Sequence, residues 1–178
     1  MSRRFGGIYP VLYAFWDRAG GLDLGAMRAE VDNCIADGAH GITVLGLVTE
    51  VHKMTTAERL SLVREVGRMI AGRVPYAVTI AEETAAEQVD FAAAAADAGA
   101  DFVILQPPRS GGREAAMALF GAVADAVALP VALQNNPVNL PVSLEPADLV
   151  TLCERHGNIR LLKAEGYSVD IAATLVGT

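Results

Sequence analysis

Residues 36–45, Ala-Asp-Gly-Ala-His-Gly-Ile-Thr-Val-Leu, carry three signals in a row: the end of an Ala-rich helical segment, a glycine turn and a short apolar run. The pattern returns at 98–105, Ala-Gly-Ala-Asp-Phe-Val-Ile-Leu. Strands that are apolar without alternation and separated by helices belong to a parallel sheet covered on both faces. Working outward, comparable runs stand at 8–13, 41–46, 75–81, 101–106, 130–135 and 158–163. Helical periodicity predicts helices near 23–38, 55–71, 84–98, 113–127 and 145–156, with a sixth beginning in Ser168-Val-Asp-Ile-Ala-Ala-Thr-Leu-Val-Gly-Thr178. A β/α unit recurring about every 30 residues fits either a (β/α)8 barrel or an open doubly wound sheet, and periodicity leaves both open.

The helix boundaries have local chemistry. Thr55-Thr-Ala-Glu58 and Thr84-Ala-Ala-Glu87 read as capping boxes, in which a hydroxyl and a carboxylate satisfy orphan N–H groups. Asp23 can cap the first helix, and Pro146 suits an early helical position where its missing N–H costs nothing. Gly38 and Gly99 fall where helices should stop.

Composition narrows the function classes. A formal charge of −7 and a pI near 4.9 leave no basic stripe for nucleic acid, so no such partner is expected. Charged or polar residues interrupt every apolar run, so no membrane span is expected. The start, Met-Ser-Arg-Arg-Phe-Gly-Gly, lacks the long apolar region of a secretory leader, and a cytoplasmic location is expected. Cys34 and Cys153 lie far apart in helical patterns and read as buried, reduced thiols. His40, His52 and His156 are scattered without ligand spacing, so no metal site is expected.

Only two lysines occur, Lys53 and Lys163, against twelve arginines. Lys53 precedes a helix in a polar loop and reads as a surface group. Lys163 ends an apolar strand, Asn158-Ile-Arg-Leu-Leu-Lys163, where alternation places Ile159 and Leu161 on its face. A buried ammonium without a partner is costly, and burial lowers an amine's pKa. A neutral amine attacks carbonyl carbon, and parallel α/β folds gather their chemistry at C-terminal strand ends. The alternative is a lysine that reaches to the rim or pairs with Glu165. Spacing leaves the two readings open.

The segments so far quoted resemble a known family. Gly7-Ile-Tyr-Pro-Val-Leu-Tyr-Ala-Phe-Trp-Asp17, followed by Gly21-Leu-Asp23, resembles the first strand and loop of the dihydrodipicolinate synthase/N-acetylneuraminate lyase superfamily. Gly46-Leu-Val-Thr-Glu50 and Met54-Thr-Thr-Ala-Glu-Arg59 stand where that family has G-[TS]-[TL]-G-E and L-[ST]-x-x-E-R. Gln134-Asn-Asn-Pro137 stands at its Y-N-x-P, and Asn158-Ile through Lys163-Ala-Glu165 at its N-[IV]-x-x-x-K-[ED]-x strand. The matches follow in order along nearly the whole chain.

The resemblance implies a single β/α-barrel domain over 1–178, often tetrameric in the family. It implies a lysine, Lys163, that condenses with a 2-oxo acid such as pyruvate. The protonated imine serves as electron sink for making or cleaving a C–C bond, or for eliminating water from a 2-keto-3-deoxy sugar acid. No organic cofactor or metal is implied, the covalent imine taking that place. The expected activity is thus that of a Schiff-base lyase, an aldolase or dehydratase, working as a homo-oligomer, tetramer or dimer.

The departures sharpen the expectation. Gln134 replaces the family's proton-relaying tyrosine, and an amide is no acid or base near neutral pH. Leu47 and Val48 replace the hydroxyl pair that holds the substrate carboxylate, leaving Thr49 and backbone N–H groups as donors. Gln106-Pro-Pro-Arg109 stands at a second tyrosine site, and Asn139 replaces an arginine. These changes resemble the 2-keto-3-deoxy-sugar-acid dehydratase branch more than dihydrodipicolinate synthase proper. The candidate catalytic set is therefore Lys163, Gln134 and Tyr13, the last a surrogate proton carrier or a core tyrosine; Leu47, Val48 and Thr49 are the candidate substrate-binding set. The competing expectation is a non-catalytic relative that binds a small acid.

Length adds one more expectation. A full barrel takes about 250 residues, and this chain has 178. About six β/α units fit, so an incomplete barrel lacking C-terminal units is expected; its open strand edges imply either a sequence incomplete relative to a functional chain or a partner subunit that covers the gap.

Overall fold

Helices begin where side chains can satisfy their first N–H groups. The computed structural model describes residues 5–166 and 168–176. Asp23 caps α1 (Leu24–Ala36) through Ala26 N–H at 2.9 Å. Thr55 and Glu58 form the predicted reciprocal box at the start of α2 (Thr56–Ile70), and Thr84 with Glu87 does so at α3 (Ala85–Asp97). Glu58's carboxyl is held below its ordinary range by those Thr55 bonds. Gly38 and Gly99 follow α1 and α3 with φ of +86° and +88°, a region nearly closed to residues bearing a Cβ.

The chain divides into two units, Met1–Thr79 with Ala94–Asp101, and Ile80–Ala93 with Phe102–Thr178. In the first, β1 (Ile42–Val44) and β2 (Tyr76–Ile80) pair in parallel from Ile42↔Tyr76 to Val44↔Val78. Every position of both strands is buried, which is why the sequence shows no alternation there. Leu45 follows with φ +60° and turns the chain into the short 3₁₀ turns Leu47–Thr49 and Val51–Lys53. Leu12, Met27, Val31, Leu62, Val66 and Tyr76 are among the buried residues of this unit's core. The Tyr76 hydroxyl donates to Val63 O at 3.0 Å, and burial pushes its pKa well above the ordinary 10.0.

The predicted first strand, 8–13, forms only an isolated bridge, Val11↔Thr43. His40 N–H donates to Ile8 O and Thr43 N–H to Pro10 O, each at 2.9 Å, so the donors and acceptors fall out of step. Tyr9's ring occupies the space beside Gly41, where an added Cβ would lie 2.0 Å from Cε1. Pro10 itself has no N–H to give. The segment is extended and apolar, but its ladder does not propagate.

The second unit contains β3 (Phe102–Leu105), α4 (Gly112–Ala126), β4 (Val131–Asn135), α5 (Pro146–Arg155), β5 (Ile159–Ala164) and α6 (Ser168–Val176). Its strands lie in the order β3-β4-β5, all parallel. Pro146 opens α5 as expected. Asn158 Nδ2 donates to Ala124 O at 2.9 Å and Val127 O at 3.0 Å, tying the end of α4 to the start of β5.

The β4–β5 register corrects one expectation about faces. Val131 pairs with Ile159 but Ala132 pairs with Leu161, so Arg160 is an extra residue in the strand. A bulge of one residue reverses the alternation across it. Ile159 therefore sits beside Val131 on the face opposite Leu161 and Lys163, which stand beside Ala132 and Gln134.

The cysteines are less buried than expected: Cys34 is partly exposed and Cys153 exposed, both as free thiols. Among the described residues no helix is long and apolar enough to cross a membrane.

Candidate active site

Lys163 is the penultimate residue of β5, paired in register with Gln134 of β4. The ladder continues past the strand end, because Glu165 N–H donates to Asn135 O at 2.9 Å. Residues two apart on extended backbone share a face, and the side chains of Lys163 and Glu165 meet: Lys163 Nζ donates to Glu165 Oε1. Both groups sit at the rim, 27% and 31% exposed. The lysine thus takes the alternative arrangement, paired with Glu165 at the rim rather than buried without a partner.

A buried amide network converges on that carboxylate. Gln134, 2% exposed, donates from Nε2 to Glu165 Oε1 at 2.9 Å and accepts at Oε1 from Gln106 Nε2 at 3.0 Å. Asn136, fully buried, donates to Glu165 Oε2. Its own Oδ1 accepts from Val138 N–H at 3.2 Å and Asn139 N–H at 3.1 Å, which fixes the amide with its NH₂ towards Glu165. Gln106 is steadied in turn by Gln88, whose Nε2 donates to Gln106 O at 3.1 Å and to Glu82 O at 2.8 Å. An ionised carboxylate only accepts, so each neighbouring amide must present its nitrogen. The paired amides of Gln134 and Asn136 are held in orientation inside the core, since unpairing them would be costly, whereas Gln88 Oε1 is buried without a partner among the described residues.

The other predicted site residues belong to the first unit. Tyr13 is 55% exposed, its ring tilted against Phe15 with centroids 6.4 Å apart. Its N–H donates to Glu30 Oε1 at 3.0 Å, and burial raises the Glu30 carboxyl above its ordinary value of 4.5 despite that bond. Leu47 and Val48 lie on the 3₁₀ turn with Thr49, which is 3% exposed. Thr49 Oγ1 donates to Leu12 O at 2.7 Å, so its one hydroxyl proton is already placed on the backbone. The structure brings together Lys163 and Gln134, joined through Glu165. Asn136 and Glu165 are the members that sequence reasoning did not select, although both stood inside the quoted motifs.

These features place the chain among parallel β/α proteins, with Lys163 and Gln134 at the C-terminal ends of adjacent strands. Residues 4–174 match the model of the dihydrodipicolinate synthetase family, and the chain belongs to that family. It is 31% identical to the probable 2-dehydro-3-deoxy-D-pentonate aldolase YjhH of Escherichia coli, over 99% of this chain and 59% of that protein. It is 27% identical to the 4-hydroxy-tetrahydrodipicolinate synthase of Methanococcus vannielii, over 88% of this chain and 55% of that one. Among solved structures it is similar to YagE, a prophage protein of the same family from Escherichia coli K12 in complex with pyruvate. That likeness has a TM-score of 0.90 at 29% identity, covering 97% of this chain and 58% of YagE. The synthase of Methylacidiphilum fumariolicum SolV superposes with a TM-score of 0.92 at 25% identity, over 98% of this chain and 58% of that one. The fold is therefore part of the family's β/α barrel, and the chain spans a little over half the length of these relatives.

Proposed function

We propose that the chain carries the imine-forming site of a lyase acting on a 2-oxo acid, with Lys163 as nucleophile. One observation supports the reading most: the amine stands at the C-terminal end of a parallel strand, in register with the buried Gln134. The nucleophile adds to the C2 carbonyl, water leaves, and the protonated imine draws electrons from C3 or from a C–C bond. Gln134 and Asn136 position the carboxylate that faces the amine. Pyruvate and 2-keto-3-deoxy sugar acids are the proposed substrate class, in keeping with the pyruvate complex of YagE and the aldolase name of the Escherichia coli relative. The reaction uses the covalent imine in place of a bound cofactor, and the working form is a homo-oligomer.

Reduction with borohydride in the presence of a panel of 2-oxo acids tests this. The native chain gains the mass of the reduced adduct and Lys163→Ala gains none. A native chain that stays unmodified throughout the panel contradicts the proposal. A second reading, a relative that binds small acids without turnover, is favoured by Gln134, since an amide cannot relay protons. In that case Lys163→Ala retains ligand binding and the native chain shows no adduct.

A further inference from the structure

Forming an imine at Lys163 requires protons to move from nitrogen to the departing oxygen. Among the described side chains in the hydrogen-bonded network around the amine, Gln134, Gln106, Asn136 and Asn139 are amides and cannot carry them. Glu165 can, and its Oε1 is the atom that receives the Lys163 hydrogen bond.

We infer that Glu165 is the proton carrier for imine formation at Lys163, an inference that rests on the function proposed above. The juxtaposition follows from the backbone. Ala164 separates the two residues, so both face the same side; an acid at 164 would point to the other face. Both carboxylate oxygens are oriented, Oε1 by Gln134 and Lys163 and Oε2 by Asn136. A carboxylate offers about four lone-pair sites. Donors from the described residues occupy three of them, two on Oε1 and one on Oε2, and among those residues a fourth, on Oε2, is left to accept from the carbinolamine hydroxyl. At 31% exposure the group is open to a ligand arriving at the rim.

The step balances. The Lys163 ammonium gives one proton to Glu165 and its freed lone pair forms the N–C2 bond. Glu165 passes that proton to the former carbonyl oxygen, making the carbinolamine hydroxyl. The carboxylate then takes a second proton from nitrogen and delivers it as the C2–O bond breaks, releasing water. The products are one protonated imine, one water and Glu165 as it began. No oxidant, reductant or further reactant enters.

The test measures the rate of adduct formation on the full chain with pyruvate and cyanoborohydride. Glu165→Gln keeps the shape but cannot ionise, and it slows adduct formation by about 10²–10⁴-fold, the usual contribution of general acid–base catalysis. Glu165→Asp retains part of the rate. Formate added to Glu165→Ala restores part of the lost rate, which a purely structural role would not allow. An unchanged rate in Glu165→Gln overturns the inference while leaving Lys163 as nucleophile. Formate that leaves Glu165→Ala as slow as before assigns the loss to disturbed positioning and overturns it equally. Absence of any adduct on the native chain overturns the proposed function, and this inference with it.

Discussion

The Lys163 amine, the Glu165 carboxylate and the Gln134 amide form one connected set. Gln134 is buried and bonded at both ends of its amide. Gln134→Leu preserves bulk but strands the Gln106 Nε2 donor in the core, so it lowers unfolding free energy by about 1–3 kcal/mol, read from a denaturant midpoint. Glu30 has a different signature. Its carboxyl binds a proton more tightly folded than unfolded, because burial raises its pKa from the ordinary 4.5. As pH rises through that value the unfolded chain ionises first, so stability falls until the folded carboxyl also ionises. Glu30→Gln removes this decline, and denaturation at about pH 4 and about pH 7 shows the variant gaining on the native chain at the higher pH. At this scale the sequence made Lys163 legible through its rarity and its strand, and it offered Glu165 as a possible partner. It hid the bulge at Arg160, a register property of two strands that no single run displays. It also hid the part played by Asn136, whose amide is aimed by a turn formed within its own loop.

At the level of elements, helix ends were the most readable features because capping is local. Asp23, Thr55, Thr84 and Pro146 each sit where their chemistry predicts. The first apolar run has a strand's composition but not its ladder, because pairing depends on a distant partner: Pro10 and the Tyr9–Gly41 packing limit it to one bridge. Close approach of elements is equally invisible in a single sequence. Gly67 of α2 passes the end of α3 so closely that a Cβ would lie 2.1 Å from Ala98 O, a backbone atom with little room to yield. Gly67→Ala should therefore destabilise by about 1–3 kcal/mol through overpacking, despite alanine's better helix propensity. A thermal melt showing an unchanged or raised Tm would refute that contact.

For the whole molecule, order along the chain was the decisive information. Buried parallel strands alternating with helices limited the fold to two architectures, and the sequence of motifs chose the barrel that the family and the structural likeness support. The substrate was not legible, because specificity in such folds resides in loops beyond the strand ends, and the chain spans 55% of the Methanococcus vannielii relative and 59% of the Escherichia coli one. The chemistry proposed at Lys163 is testable all the same on this chain as it stands. Peptide mapping of the native chain after incubation with pyruvate and cyanoborohydride is the most direct measurement. One reduced adduct is expected, located on the peptide that contains Lys163 and absent from Lys163→Ala; an adduct on Lys53, or on no residue, would overturn Lys163 as the nucleophile.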